Sequence, residues 1–214
     1  NVKKEVQKLL RTVEFNQKRL SEGLPIQEQS LHSVFTGNPG TGKTTVARLL
    51  GRVLFDRGVL PGDEFKFIEV SESDLIATHI GETAVQTQAI LEKAKGGILF
   101  IDEAYTLNKG KSSQHNFGLE AINTILKYME DYRNEIMIIF AGYTKEMEQF
   151  FETNPGLKSR VPNTFFFEDY SGDEIVEMGL KNLQKSAYQL EDATYYAMRV
   201  KQAYSRSLDH SNGR

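Results

Sequence analysis

The sequence has 214 residues and contains no cysteine, no long apolar run and no excess of positive charge. The absence of cysteine excludes disulfides and thiolate metal sites, and it fits a reducing compartment, so we expect a cytoplasmic protein. We expect no membrane span, because no apolar run approaches the roughly 20 residues that such a helix needs. The formal net charge of −3 gives no general reason to expect a nucleic acid as a partner.

The start of the sequence carries no recognisable targeting signal. Asn1 is not an initiator methionine and no signal-peptide pattern follows it, so we expect a trimmed fragment. The length predicts one medium domain with a smaller appendage. A hydrophobic content of 39% and a charged content of 26% are typical of a globular protein.

A glycine-rich loop near residue 40 stands between an apolar strand and the start of a helix. Gly37, Gly42, Lys43 and Thr44 fill the pattern G-x-x-x-x-G-K-[ST] of a phosphate-binding loop. Its glycines let peptide N–H groups approach a triphosphate, because no Cβ intervenes, and the helix adds the positive end of its dipole. A plain surface loop is the alternative, but the strand before the loop and the helix after it favour a bound nucleotide.

The same pattern assigns roles to individual residues of the loop. We expect Lys43 to reach the β and γ phosphates and the Thr44 hydroxyl to ligate Mg²⁺. The predicted nucleotide contacts are Gly37, Asn38, Pro39, Gly40, Thr41, Gly42, Lys43, Thr44 and Thr45.

A second apolar strand delivers two adjacent carboxylates, Asp102 and Glu103, at its carboxyl end. Open parallel sheets bind their ligands at this end. We expect Asp102 to hold Mg²⁺ through water and Glu103 to polarise the attacking water as a base. The alternative, that both carboxylates cap the following helix, loses weight because a phosphate-binding loop lies upstream.

Strand and helix patterns alternate along most of the sequence. Apolar segments predict five strands at about 31–36, 65–70, 97–102, 135–141 and 164–168. Amphipathic segments predict helices at about 2–20, 43–57, 83–95, 118–130, 145–151, 171–186 and 192–207, and Asn154-Pro155-Gly156 predicts a turn. The fold class is therefore α/β, a five-stranded parallel sheet flanked by helices. We expect a large domain over about 1–170, with an N-terminal helix at 1–22, and a partial helical domain over 171–214.

Taken together, the loop Gly37–Thr44, the pair Asp102-Glu103 and the helical tail resemble a P-loop NTPase of the AAA+ ATPase family. The resemblance covers nearly the whole chain. Finer motifs narrow it to the CbbX branch, which holds red-type Rubisco activases, stage V sporulation protein K and ATPases of type VII secretion. These motifs are Ile80-Gly-Glu-Thr-Ala84, Asp102-Glu-Ala-Tyr105, Phe117-Gly-x-Glu-Ala-Ile122, Ala141-Gly-Tyr143 and Asn154-Pro-Gly-Leu-x-Ser-Arg160. The residues of these motifs are more similar to those of the sporulation members than to those of the activases.

The resemblance implies Mg²⁺-dependent hydrolysis of ATP in a homo-oligomeric ring, usually a hexamer, with ATP bound between subunits. It also implies that 171–214 is a truncated lid domain. Arg160 falls where such proteins carry an arginine finger that reaches the neighbour's γ phosphate, and a planar cation stabilises charge on phosphoryl oxygens. The alternative is an exposed arginine after a turn.

Two sensor positions follow from the resemblance. Tyr143 and Thr144 end the fourth strand, where the family places a sensor for the lytic water. Most members have Asn or Thr at this point, and which of the two residues acts here stays open. The resemblance implies that Arg214, the last residue of the sequence, is a second sensor on the lid that contacts the nucleotide.

The segment Thr78-His79-Ile80-Gly81 is similar to the first pore loop of the family. The resemblance implies that His79, Ile80 and Gly81 grip a substrate polypeptide. The family usually has an aromatic residue where this sequence has His79, which argues against strong threading. An N-cap loop before helix 83–95 is the alternative. Residues 106–117 suit either a second pore loop or a plain solvated loop.

The favoured hypothesis is an ATPase that remodels an unidentified protein partner in bacterial sporulation. A nucleotide-gated scaffold with slow hydrolysis and a DNA-directed motor or loader are the alternatives. Stimulation of hydrolysis by a substrate protein would favour the remodeller. Nucleotide-dependent capture of a partner would favour the scaffold, and salt-sensitive stimulation by DNA would favour the motor. The lysines are dispersed among acidic residues, so no basic channel is predicted.

Overall fold

The computed structural model describes residues 2–26, 30–79, 81–108 and 116–211. The chain divides into two compact units, Asn1–Glu168 and Asp169–Arg214. No helix among the described residues is long and apolar enough to cross a membrane.

A five-stranded sheet forms the centre of the first unit, and every recorded pairing within it is parallel. The strand order is β2-β3-β4-β1-β5. The strands in chain order are β1 (Ser33–Gly37), β2 (Phe67–Val70), β3 (Ile98–Ile101), β4 (Met137–Gly142) and β5 (Asn163–Phe167). This arrangement confirms the fold class predicted from the sequence.

Helices flank the sheet in the first unit and make up the second. Those of the first unit are α1 (Val2–Ser21), α2 (Lys43–Asp56), α3 (Glu72–Leu75), α4 (Thr83–Ala94), α5 (Phe117–Asp131), α6 (Thr144–Glu152) and α7 (Pro155–Arg160). A short 3₁₀ helix spans Ala104–Asn108. The second unit contains α8 (Gly172–Lys185) and α9 (Ala193–Ser211).

The two central strands explain why the first unit has an apolar layer on each face of the sheet. Every residue of β3 and β4 is buried. Side chains alternate between the faces of a strand, so Ile98 and Phe100 join the layer that includes α1 and α2. Leu99 and Ile101 join the opposite layer with α4 and α5. Continuous apolar runs are typical of strands covered on both sides, which is why these two were recognisable from the sequence.

The segment after α6 differs from the sequence prediction. Asn154-Pro155-Gly156 was predicted as a turn, and that prediction is wrong, because Pro155 begins helix α7 and Asn154 is its N-cap residue. Proline fits the first helical position, since the N–H that it lacks has no partner there. Buried Asn154 donates from Nδ2 to the Phe150 carbonyl at 2.7 Å and to Asn108 Oδ1 at 3.1 Å. Arg160 therefore ends a helix and does not follow a turn.

The two helices of the second unit pack closely against each other. A Cβ added at Gly179 in α8 would lie 2.1 Å from the Tyr196 hydroxyl of α9. The Tyr204 hydroxyl donates to the Tyr170 carbonyl at 2.6 Å, which ties α9 to the segment before α8. At the start of α8, Ser171 and Glu174 form a capping box that satisfies N–H groups at the helix end.

His32 is a buried histidine immediately before β1, with a relative exposure of 1%. Its Nδ1 accepts a hydrogen bond from the Ile138 N–H at 3.0 Å. Burial lowers the pKa of His32 from 6.5 to about 4, the Met129 carbonyl opposes that shift, and the charge of Arg133 adds to it. The folded protein therefore holds the neutral imidazole under conditions in which the unfolded chain binds a proton.

We expect this histidine to make the protein less stable in mild acid. Because its folded pKa is depressed, its contribution is complete above pH 6.5 and is lost as the pH falls towards 4. Between pH 7 and pH 5 the free energy of unfolding should fall by about 2 kcal/mol from this group alone. Denaturant unfolding of the wild type and of His32→Asn measures it, since the Asn oxygen can replace Nδ1 as the acceptor. An equal acid dependence in both proteins would contradict this assignment.

Candidate nucleotide-binding site

An open pocket of about 360 Å³ lies at the carboxyl end of β1, β3 and β4. Parallel strands deliver the residues that follow them to the same edge of the sheet, so segments distant in sequence meet there. The pocket is lined by Gly37, Pro39, Gly40, Gly42, Lys43, Thr44, Thr45, Asp102, Glu103, Gly142 and Tyr143.

Two glycines give the loop after β1 its shape. Gly37 has a φ of 149°, and a Cβ added there would lie 2.3 Å from the Phe167 carbonyl oxygen of β5. Gly42 is the N-cap residue of α2 and has a φ of 91°, in the left-handed region that disfavours other residues. The first N–H groups of a helix have no partner within it, so α2 presents donors to the pocket beside Lys43 and Thr44.

The Lys43 ammonium lies inside the curve of the loop. It donates to the carbonyl oxygens of Gly37 and Asn38, each at 2.9 Å. Burial lowers the pKa of Lys43, while the nearby carboxylates of Asp102 and Glu103 act in the opposite direction. A triphosphate in the pocket would meet a lysine that the loop already holds in place.

Asn38 and Thr41 are two predicted nucleotide contacts that do not line this pocket. The buried Thr41 hydroxyl donates to the Asn38 carbonyl at 2.7 Å, across the base of the loop. These two residues therefore stabilise the curve of the loop, and its other seven predicted contacts are part of the pocket lining.

The residues after β3 hold a strained backbone. Glu103 has a φ of 47°, which for a residue with a side chain costs on the order of 1–3 kcal/mol. Asp102 Oδ1 accepts from the Glu103 N–H at 3.0 Å, and the Glu103 carbonyl accepts from the Thr106 N–H and hydroxyl, both at 2.8 Å. These bonds fix the Asp102 carboxyl group and the Glu103 backbone, and both residues line the pocket with Lys43. Such strain clusters at functional sites.

Tyr105 contacts this site, and the sequence analysis assigned no role to it. Burial, followed by the charge of the nearby Glu103 side chain, raises the pKa of Tyr105. Its ring centroid lies 6.0 Å from that of Tyr143. A Cβ at Gly142 would lie 2.8 Å from both the Tyr105 ring and Met147 Sδ, so this glycine makes room for the tyrosine. The sequence feature that could have identified this residue is the position of Tyr105, two residues after Glu103.

The structure separates the two candidates for the first sensor. Tyr143 lines the pocket with Glu103. Thr144 lines a different depression of about 290 Å³, whose wall includes Val34, Met147 and Phe151. Tyr143 is therefore the residue of this pair that lines the same pocket as Lys43 and Glu103.

Arg160 lies far from this pocket, at the opposite end of the sheet. It ends α7, and β5 begins shortly afterwards at Asn163, which pairs with Ser33 at the start of β1. Phe167, at the other end of β5, pairs with Gly37 beside the pocket. These five-residue strands separate the two ends by roughly 15 Å. Arg160 cannot serve the pocket of its own chain without rearrangement of the sheet.

Some predicted site residues fall outside the described part of the chain. They are Ile80 of the pore-loop prediction, Arg214 of the second sensor, and residues 109–115 of the second pore loop. His79 is exposed, and its carbonyl accepts from the Glu82 N–H at 3.3 Å in the turn that also contains Gly81. Glu82 is the N-cap of α4 but forms no side-chain capping bond.

The oxygen donors near the pocket suit Mg²⁺ better than a metal held by protein alone. Among the described residues, no group of three or more His, Cys, Asp or Glu side chains could hold a metal ion. Mg²⁺ keeps several waters and is bound through one or two protein oxygens together with substrate phosphates. Thr44 and Asp102 line the same pocket and supply such oxygens, so they fit this ion.

Comparison with known proteins identifies a family and several relatives of this chain. Residues 33–169 match the family described as ATPase family associated with various cellular activities (AAA). The chain is 43% identical over 218 residues to "Stage V sporulation protein K" of Bacillus subtilis, covering 100% of this chain and 66% of that protein. It is 44% identical to "Ribulose bisphosphate carboxylase/oxygenase activase, chloroplastic" of Cyanidioschyzon merolae, over 78% of this chain and 56% of that one. It is also 40% identical to "Protein CbxX, chromosomal" of Cupriavidus necator, over 87% and 60%.

These relatives are longer than the chain, which spans 56% to 66% of their lengths. Among solved structures, a chain of the "HORMA:CdnC:Trip13 complex" of E. coli MS115-1 matches with a TM-score of 0.57. It is 14% identical, covers 79% of this chain and 58% of its own length, and therefore shows the fold alone. The resemblance that the motifs indicated is confirmed.

We expect Lys43→Met to weaken nucleotide binding. The substitution keeps most of the aliphatic side chain and removes the cation that a triphosphate would contact. Losing a charged hydrogen-bonding partner should raise the dissociation constant for ATP about 10- to 100-fold. Titration with a fluorescent ATP analogue measures it, with Lys181→Met as the control, because Lys181 lies on α8 and pairs with Glu177. Equal affinity for ATP in Lys43→Met and the wild type would contradict the assignment of the triphosphate to this pocket.

Proposed function

The chain belongs to the AAA family of ATPases, and we propose that it hydrolyses ATP with Mg²⁺ in a homo-oligomeric ring, a hexamer, to remodel a protein partner. One observation carries the proposal. Lys43, Asp102 and Glu103 line one pocket, whereas Arg160 lies at the opposite end of the sheet. A site that needs both ends of the molecule is completed by a second copy.

The loop and the start of α2 bind the triphosphate in this proposal. Backbone N–H groups and the Lys43 ammonium contact its oxygens and orient the γ phosphate towards Glu103. Thr44 and Asp102 hold Mg²⁺. Bound there, Mg²⁺ neutralises negative charge on the β and γ phosphates.

Glu103 acts as the general base for the attacking water. Its carboxylate lies at the mouth of the pocket, on a backbone that the Thr106 and Asp102 hydrogen bonds keep in one conformation. The Tyr105 hydroxyl orients that carboxylate, and Tyr143, which lines the same pocket, contacts the water or the γ phosphate. The proton of the water passes to Glu103 as the new bond to phosphorus forms.

Arg160 stabilises the transition state in the neighbouring subunit. A planar guanidinium matches the oxygens of a phosphoryl group whose charge spreads as the bond to the leaving group breaks. Its distance from its own pocket supports action on a neighbour, and such head-to-tail contacts form a ring when the rotation between neighbours closes.

The relatives support a protein as the substrate. One is named a stage V sporulation protein and another a carboxylase activase. We propose that this chain remodels a protein during bacterial sporulation and that it acts in the cytoplasm. A nucleotide-gated scaffold that hydrolyses slowly is the second candidate. It is favoured by exposed His79, which offers a weaker grip on a passing polypeptide than an aromatic residue would. We do not propose a nucleic-acid partner, because the net charge is −3.

We expect the ATPase rate per protomer to rise with protein concentration, because a shared site forms only on assembly. Arg160→Ala should bind ATP as the wild type does and lose at least about 100-fold in hydrolysis, since it removes a transition-state contact. Steady-state turnover and nucleotide titration measure the two effects. Arg52→Ala is the control, because Arg52 is an exposed arginine of α2 paired with Asp56 at 3.0 Å. A flat rate together with an active Arg160→Ala would show that each protomer works alone.

A further inference from the structure

We propose that Glu130, near the end of α5, is a positioning residue for Arg160, an inference that rests on the role proposed above for that arginine. The Glu130 carboxylate restrains the guanidinium through an ion pair at Nε and leaves Nη2 for the nucleotide of the neighbouring subunit. Nothing in the sequence pattern connects the two residues, because they lie on different helices.

The contacts of the Arg160 guanidinium involve two of its nitrogens, Nε and Nη1. Its Nε is 3.2 Å from Glu130 Oε2. Its Nη1 donates to the Gly156 carbonyl at 3.2 Å and lies 3.5 Å from Ser159 Oγ. Within the described residues, Nη2 makes no hydrogen bond. Hydrogen bonds therefore hold Nη1, whereas the buried Nε has no hydrogen-bond partner in the described part of the chain and meets Glu130 through charge alone.

The backbone at Arg160 is fixed as well. The Ser30 hydroxyl donates to the Arg160 carbonyl at 2.9 Å, and Asn163 Nδ2 donates to the Ser30 carbonyl at 3.0 Å. The segment before β1 and the start of β5 thus hold the residue from which the side chain projects. The Arg160 backbone is thus fixed, and what remains to be restricted is the rotamer of its long side chain.

Glu130 has an anchor of its own. Its Oε1 accepts from Arg133 Nη2 at 2.9 Å, so one carboxylate bridges two arginines. Glu130, Arg133, Ser159 and Arg160 line one open depression of about 400 Å³. The Glu130 carboxylate therefore lines this depression together with the two arginines that it bridges, Arg133 and Arg160.

The weakness of this ion pair decides between two roles for Glu130. The Arg160 side chain is 35% exposed and the Glu130 side chain 50%, and exposed ion pairs contribute little to stability. Such a pair cannot withhold an arginine from a phosphoryl group that carries more than one negative charge. It can restrict the rotamers of a long side chain before the reaction, which lowers the entropy lost when the transition state forms. Glu130 therefore positions Arg160 and does not sequester it.

Glu130→Gln tests this role, because it keeps the shape of the side chain and removes its charge. We expect kcat at saturating protein to fall about tenfold, while KM for ATP and the sedimentation of the assembled protein change less than about twofold. Glu69→Gln is the matched control, because Glu69 is 44% exposed and lies 3.5 Å from Arg48. Glu130→Ala serves as a second variant, with a loss at least as large.

A double-mutant cycle distinguishes the inference from the function on which it rests. In the Arg160→Lys background, which lacks the Nε group that pairs with Glu130, Glu130→Gln should cause no further loss in single-turnover rate. Full activity of Arg160→Lys and Arg160→Ala would overturn the proposed function. If those variants are impaired, then unchanged or faster turnover in Glu130→Gln, or losses that add in the double variant, would overturn the positioning role alone.

Discussion

The parallel pairing of β1, β3 and β4 is the constraint on which the rest of the site depends. In this register Gly37, Asp102 and Gly142 all follow the same edge of the sheet, so the loop, the carboxylates and Tyr143 meet in one pocket. The buried strands β3 and β4 cannot shift by one residue without turning their apolar side chains onto the wrong face. The core thereby fixes where Lys43 and Glu103 lie relative to each other.

The same sheet also keeps apart two groups that the proposed chemistry needs together. Glu103 lies at its carboxyl end, and Arg160 lies where β5 begins. Because a packed sheet is rigid, no side-chain motion brings them together within one chain. In the account proposed here, assembly supplies the missing group, and hydrolysis depends on contact between subunits. The bridge from Arg133 through Glu130 to Arg160 then prepares one subunit to act on the next.

Local patterns in the sequence were enough for the fold class and the family, and less so for contacts between distant segments. The runs of β3 and β4 are apolar on both faces, and the phosphate-binding loop has a fixed spacing, so both were recognisable. The start of α7 was not, because Asn154-Pro155 reads as a turn until Asn154 is seen buried under Phe150. Tyr105 against Gly142, and Glu130 against Arg160, join segments whose proximity only the folded chain reveals.

Mixing two inactive variants tests most directly whether the site is shared between subunits. Glu103→Gln lacks the base but keeps Arg160, and Arg160→Ala keeps the base. In an equimolar mixture that assembles at random, one protomer in four combines an intact base with an intact neighbour. The account predicts that the mixture regains about a quarter of the wild-type ATPase rate, although each variant alone has almost none. A mixture as inactive as its components would contradict it, because both residues would then act within one chain.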